Sequence, residues 1–140
     1  MLNYYLYRFG QFIALNLPIR VVYAIAVFSA DLYYLFAFRD RRFVKANLRA
    51  IFPEKSNQEL RKIRRQVFRN FAKYLADFFR FEKLNLRYIE KNVKLENTRY
   101  FDEALARGKG VVVLTAHLGN WELGGVVIAL LGYPFWVVAL

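Results

Sequence analysis

The sequence predicts an α/β protein: an N-terminal membrane-anchoring helix, then an amphipathic helix, then the start of a mixed α/β sheet. Three observations carry that prediction. From Phe9 to Phe38 the chain is almost continuously apolar. From Leu60 to Phe78 apolar residues return every three or four positions, the helical period. Val111, Val112, Val113 and Leu114 form a wholly apolar, β-branched run, the pattern of a strand buried on both faces. The segments divide the chain into an anchor over 1–38, a basic helical segment over 39–90 and an α/β segment over 91–140.

The anchor opens with Tyr4, Tyr5, Tyr7 and Arg8, types that favour a membrane interface. Its cleanest stretch, Val21 to Phe38, would reach about 27 Å as a helix, against a hydrocarbon core of about 30 Å. Asp31 lies inside it, at a cost of roughly 2.5–3.5 kcal/mol if central, and Pro18 and Arg20 interrupt its upstream half. Phe28 occupies a position that signal-peptide cleavage before or after Ser29 and Ala30 would need small, so the expectation is an uncleaved anchor, spanning or lying in one leaflet. Arg39, Arg41, Arg42, Lys45 and Arg49 follow it, against Arg8 and Arg20 before it, which makes the C-terminal side the cytoplasmic one.

Composition narrows the chemistry. The 140 residues are 57% hydrophobic and include no cysteine and a single histidine. That excludes a disulfide framework and a cysteine nucleophile and argues against a structural zinc site. Residues 39–94 carry 17 Lys+Arg against 6 Asp+Glu, which accounts for the whole net charge of +11. Such a block suits anionic lipid, an acidic protein or nucleic acid; with no recognisable nucleic-acid motif, the partners expected are membrane lipid and an acidic protein, and no nucleic acid.

Ser56-Asn-Gln-Glu59 is a capping box, which starts the amphipathic helix. Its stripe is Leu60, Ile63, Val67, Phe71, Leu75 and Phe78, with Arg61, Lys62, Arg64, Arg65, Arg69 and Lys73 between; these charges read equally as a solvated face or a lipid-binding one. Asn92 to Glu96 alternates as a first strand, Asn97 or Thr98 caps a short helix through Ala106, and Gly108 closes it. After the Val111–Leu114 strand, a helix from Trp121 ends at Gly132, and Phe135 to Leu140 reads as another buried strand.

The chemistry-bearing residues lie between strand and helix. His117, the only histidine, follows the strand, and Glu122 stands in the first turn of the helix. A strand end and a first helical turn can fold these two side chains towards each other. A carboxylate on one imidazole nitrogen fixes the tautomer and makes the other nitrogen a better base for a hydroxyl proton. Gly119 and Asn120 supply the tight turn, and backbone N–H groups there could bind an oxyanion or a phosphate. Trp121 reads as packing.

The run Leu114-Thr-Ala-His-Leu-Gly-Asn-Trp-Glu-Leu-Gly-Gly125 resembles the first motif of the bacterial lipid A biosynthesis acyltransferases, within the lysophospholipid acyltransferase-like superfamily: His, four residues, then Asp or Glu. Asn47-Leu-Arg-Ala-Ile-Phe-Pro-Glu54 is similar to the segment that follows that family's N-terminal hydrophobic region. The resemblance implies a transferase at the cytoplasmic face of the cell inner membrane, moving a fatty acyl chain onto a hydroxyl of a lipid A precursor or related glycolipid. His117 would be the general base and Glu122 its orienter. The donor would be an acyl carrier protein or coenzyme A thioester, a co-substrate, with no cofactor and no metal. A lysophospholipid or another glycolipid is the alternative acceptor, and a non-enzymatic, membrane-tethered basic module is the alternative of another class. The family's later motifs have no counterpart in these residues, so the chain is expected to be an N-terminal fragment, inactive alone.

Overall fold

The computed structural model describes residues 2–137, with side chains from residue 4 onward. The chain divides into two compact units, Met1–Glu82 and Lys83–Leu140.

The first unit consists of α1 (Leu2–Asn16), α2 (Ile19–Phe36), α3 (Phe38–Ile51) and α4 (Asn57–Phe78). Pro18 ends the run into two helices: it occupies the N-cap of α2 with φ −58° and ψ 141°, and its carbonyl accepts from the Val21 and Val22 amides. The Arg80 guanidinium donates to the carbonyls of Ala14 and Leu17, satisfying acceptors at the end of α1 that have no helical donor. The expected capping box starts α4: the Ser56 hydroxyl accepts from the Glu59 amide at 3.3 Å, and the Glu59 carboxylate takes the Ser56 amide at 2.9 Å.

The core of this unit joins α1, α2 and α4 through Ala14, Val22 and Ala76, with Tyr23, Ala26 and Phe79 packed around them. Small residues let the helices approach closely. Leu60 and Leu48 are buried nearer the α3–α4 turn. That turn is organised by Arg49, whose guanidinium donates to the Lys55 carbonyl and to Asn57 Oδ1, both at 2.7 Å. The Asn47–Glu54 segment is therefore a folding device, with Leu48 buried and Arg49 drawing the Phe52–Lys55 loop into place.

Helices α2 and α4 run antiparallel, and polar ties hold their register. Tyr23 Oη donates to Asp77 at 2.6 Å, Arg69 and Arg65 both grip Asp31, and Arg64 Nε donates to Tyr34 Oη at 2.9 Å. As residue numbers rise along α2 they fall along α4. The charges read as a solvated or lipid-binding face are, at Arg64, Arg65 and Arg69, turned onto the polar atoms of α2.

The second unit holds α5 (Leu86–Asn92), α6 (Arg99–Leu105) and α7 (Trp121–Leu130). Ile89 and Val127 are its buried hydrophobic residues among those described. Tyr133 Oη donates to Asp102 at 2.8 Å and its ring lies 5.5 Å from Phe101, so the segment after α7 is tied to α6. The expected helix ends hold: Gly108 and Gly132 close α6 and α7 with φ of +68° and +87°.

The expected α/β sheet is absent: among the described residues there is no strand. Asn92 ends α5 and residues 93–96 are irregular, as are 135–137; residues 138–140 of the third expected strand lie outside the described residues. Val111–Leu114 is not buried on both faces. Its exposure alternates, 39%, 88%, 45% and 92%, the two-residue period of an extended chain with one side covered. Strand propensity describes a side chain that fits a pleated surface, but a strand exists only when a neighbour takes its N–H and C=O groups. Among the described residues the three stretches do not pair, and the regular structure of the unit is helical.

Candidate active site

The site is built on the turn between Leu114 and α7. Among the described residues, His117 and Asn97 are the non-glycine residues with positive φ, at 52° and 60°. Asparagine and histidine are the side chains enriched there among non-glycine residues, and each still carries part of a left-handed cost of up to roughly 1–2 kcal/mol. The turn continues through Gly119, also left-handed at φ 64°, where glycine incurs no such cost. Two left-handed residues within three positions reverse the chain sharply enough to bring it from the extended run into α7.

Three local contacts hold the turn. The His117 amide donates to Thr115 Oγ1 at 3.2 Å. The Asn120 side chain accepts from the Leu123 amide at 3.1 Å and caps α7. The His117 ring meets the Trp121 indole edge to face, with centroids 4.9 Å apart, a geometry aromatic rings prefer. His117 is exposed, Trp121 is 37% exposed, and Glu122 is half-buried in the first turn of α7.

The sequence-predicted residues thus share one turn of chain. His117 stands before the helix, Gly119 bends the chain, Asn120 caps, and Glu122 follows in the first helical turn. The Asn120 side-chain carbonyl oxygen is engaged in capping, which leaves its side-chain amide N–H groups and the backbone for any ligand contact at this position. Trp121 packs as expected, and its partner is the candidate base itself; the four-residue spacing from His117 was the available signal. Thr115 was missed. A hydroxyl two residues before a turn residue commonly binds its backbone, and that spacing is the only sign of it in the sequence.

At this geometry the arrangement offers an accessible imidazole, an aromatic wall restricting its rotation, and a helix N-terminus beside it. Residues 1–139 match the family of the bacterial lipid A biosynthesis acyltransferases. The chain belongs to that family. No curated protein and no solved structure matches it. Membership covers both stretches that carried the resemblance, the turn at His117 and the Asn47–Glu54 segment that closes onto α4.

Proposed function

We propose that His117 is the general base of an acyl transfer from a thioester to a hydroxyl of a lipid A precursor or related glycolipid. The observation that supports it best is the backbone of His117: a non-glycine residue held left-handed, exposed and packed against Trp121. Strain that the surrounding structure maintains is characteristic of functional positions. In this reading His117 takes the proton of the acceptor hydroxyl as its oxygen attacks the acyl carbonyl, and later gives that proton to the leaving thiolate. Glu122 orients the ring and offsets its transient charge. In the same reading the N-terminus of α7, which begins four residues after the base, favours the developing oxyanion.

The test is thioester consumption by the full-length gene product with a glycolipid acceptor. His117→Ala should lower the rate by about 10²–10⁴-fold, and Glu122→Gln should lower kcat with little change in KM. A folded His117→Ala protein turning over at the wild-type rate would end the proposal.

The same chain is proposed to lie along the membrane rather than across it. By length and composition Ile19–Phe36 could cross a bilayer. However, Arg65 and Arg69 are tied to Asp31 of that helix, so spanning would carry them below the interface, at a cost that reaches roughly 2.5–3.5 kcal/mol each at the centre. Ile25, Phe28, Leu32 and Phe36, on the side away from α4, are exposed and suit burial at the acyl boundary, with α4 towards the headgroups.

A further inference from the structure

We propose that the cleft between α3 and α4, against the C-terminal end of α2, is a binding site for the phosphate ester of an anionic lipid. The inference goes beyond the acyl-transfer reading and does not depend on it.

The cleft has a volume of about 380 Å³ and is lined by five cations, Arg41, Arg42, Lys45, Arg61 and Arg64, together with Tyr34 and Phe38. Their spacing makes the convergence a property of the helices. Phe38, Arg41, Arg42 and Lys45 fall on one face of α3, and Arg61 and Arg64 on one face of α4.

Two of the guanidiniums are fixed. Arg41 lies 5.1 Å from the centroid of the buried Tyr34 ring and 4.7 Å from that of Phe38. Arg64 lies 5.6 Å from the same Tyr34 centroid, donates through Nε to its hydroxyl at 2.9 Å, and donates through Nη1 to the Arg41 carbonyl at 3.2 Å. Like charges this close would splay into water if nothing held them; here ring stacking and two hydrogen bonds keep them together.

Among the described residues none of the five cations has a carboxylate partner. On the adjoining face of α4 the opposite holds, for Arg65 and Arg69 share Asp31. The acid nearest in sequence, Asp40, instead accepts from Tyr33 Oη at 2.5 Å. The cleft therefore has cationic donors without an anion, beside a pair whose charge is met.

A phosphate ester fits this chemistry. Its oxygens accept from guanidinium forks and ammonium groups together, and a doubly or singly charged anion relieves the repulsion among the five. The source is a lipid rather than free phosphate because Phe38, which lines the cleft, is 68% exposed, with Phe36 exposed two residues before it, placing apolar rings at the cleft for the acyl chains of the same molecule.

The experiment measures binding of the chain to phosphatidylcholine vesicles doped with phosphatidic acid, or with oleate at equal surface charge. Arg42→Gln combined with Lys45→Gln removes two exposed cations of the cleft without touching the Tyr34 contacts. Arg87→Gln with Lys91→Gln removes the same charge from α5. The cleft variant should bind phosphatidic acid vesicles about tenfold more weakly, a loss of about one charge-assisted hydrogen bond, and oleate vesicles nearly as well as the wild type. The α5 variant should be nearly unchanged on both. Equal losses in the two variants, or equal losses on the two vesicles, would reduce the effect to general electrostatics and overturn the site. Release of the wild-type chain by millimolar inorganic phosphate, at ionic strength matched with chloride, would overturn the lipid as the source.

Discussion

Several arginines of Met1–Glu82 are directed at polar atoms of neighbouring segments, whereas in Lys83–Leu140 the one imidazole is turned outward in a left-handed turn. The first unit binds Asp31 with two arginines, caps α1 with Arg80 and closes the α3–α4 loop with Arg49. The second has a thin core around Ile89 and Val127 and leaves Val112, Leu114 and His117 exposed. Polar ties in the first fix helix register; in the second, a handful of local bonds fix one side chain. Helix register in the first unit and the conformation of one turn in the second are thus separable, and mutations should reveal it.

The largest effect expected on the first unit concerns its apolar side. If α2 lies in one leaflet, Phe28 and Phe36, each 70% exposed, are buried in lipid. Each contributes roughly 1.5–3 kcal/mol, so Phe28→Asp with Phe36→Asp should weaken vesicle partitioning by about 10²–10⁴-fold. The chain has no cysteine, so single cysteines at Arg20 and Arg39, exposed positions on either side of the apolar run, report topology directly. An impermeant maleimide should reach both from the same side of the bilayer; labelling from opposite sides would mean that α2 spans.

A smaller effect attends the ion cluster. Hydrogen bonds from Arg69 and then Arg65 hold the Asp31 carboxyl well below the ordinary carboxylate range, outweighing the opposing effect of its burial. A carboxylate whose pKa is depressed by folding contributes stability above its unfolded pKa and loses it as the pH falls through the folded value. The unit should therefore hold its denaturant midpoint down to about pH 4 and lose stability below that. Asp31→Asn should cost about 1–2 kcal/mol at pH 7 and flatten the acid limb. An unchanged acid limb in Asp31→Asn would mean that other carboxylates govern it.

What was legible in the sequence follows the same division. Local signals were read correctly at the Ser56–Glu59 box and the glycines at 108 and 132, whereas Thr98 stands at the start of α6 without a side-chain capping bond. The spacing that places His117 before a helix and Glu122 in its first turn was also read correctly. Two kinds of information were not local. Whether Val111–Leu114 finds a partner strand depends on the rest of the fold, and the apolar run alone predicted a sheet that is not there. Asp31 read as a costly charge in an apolar helix because its partners are 34 and 38 residues away. The left-handed backbone of His117 could not be read at all, since nothing in the residue type or its neighbours requires it.

That backbone permits the finest test of the comparison. Replacing His117 by alanine or by glycine removes the same imidazole and the same contact with Trp121, so both should be equally inactive. They differ in what they do at φ 52°: alanine keeps the left-handed strain, and glycine relieves it. Glycine loses more freedom on folding, which offsets part of the relief, but where φ is positive the strain outweighs that entropy. His117→Gly should therefore be more stable than His117→Ala by roughly 1 kcal/mol or a little less. The measurement is the difference in urea midpoints at equal slope, with hydrogen exchange at Leu123 locating the change at the start of α7. Alanine matching glycine would show that the turn relaxes without the imidazole, and that the histidine is held in this conformation by its own contact with Trp121 rather than by the chain around it.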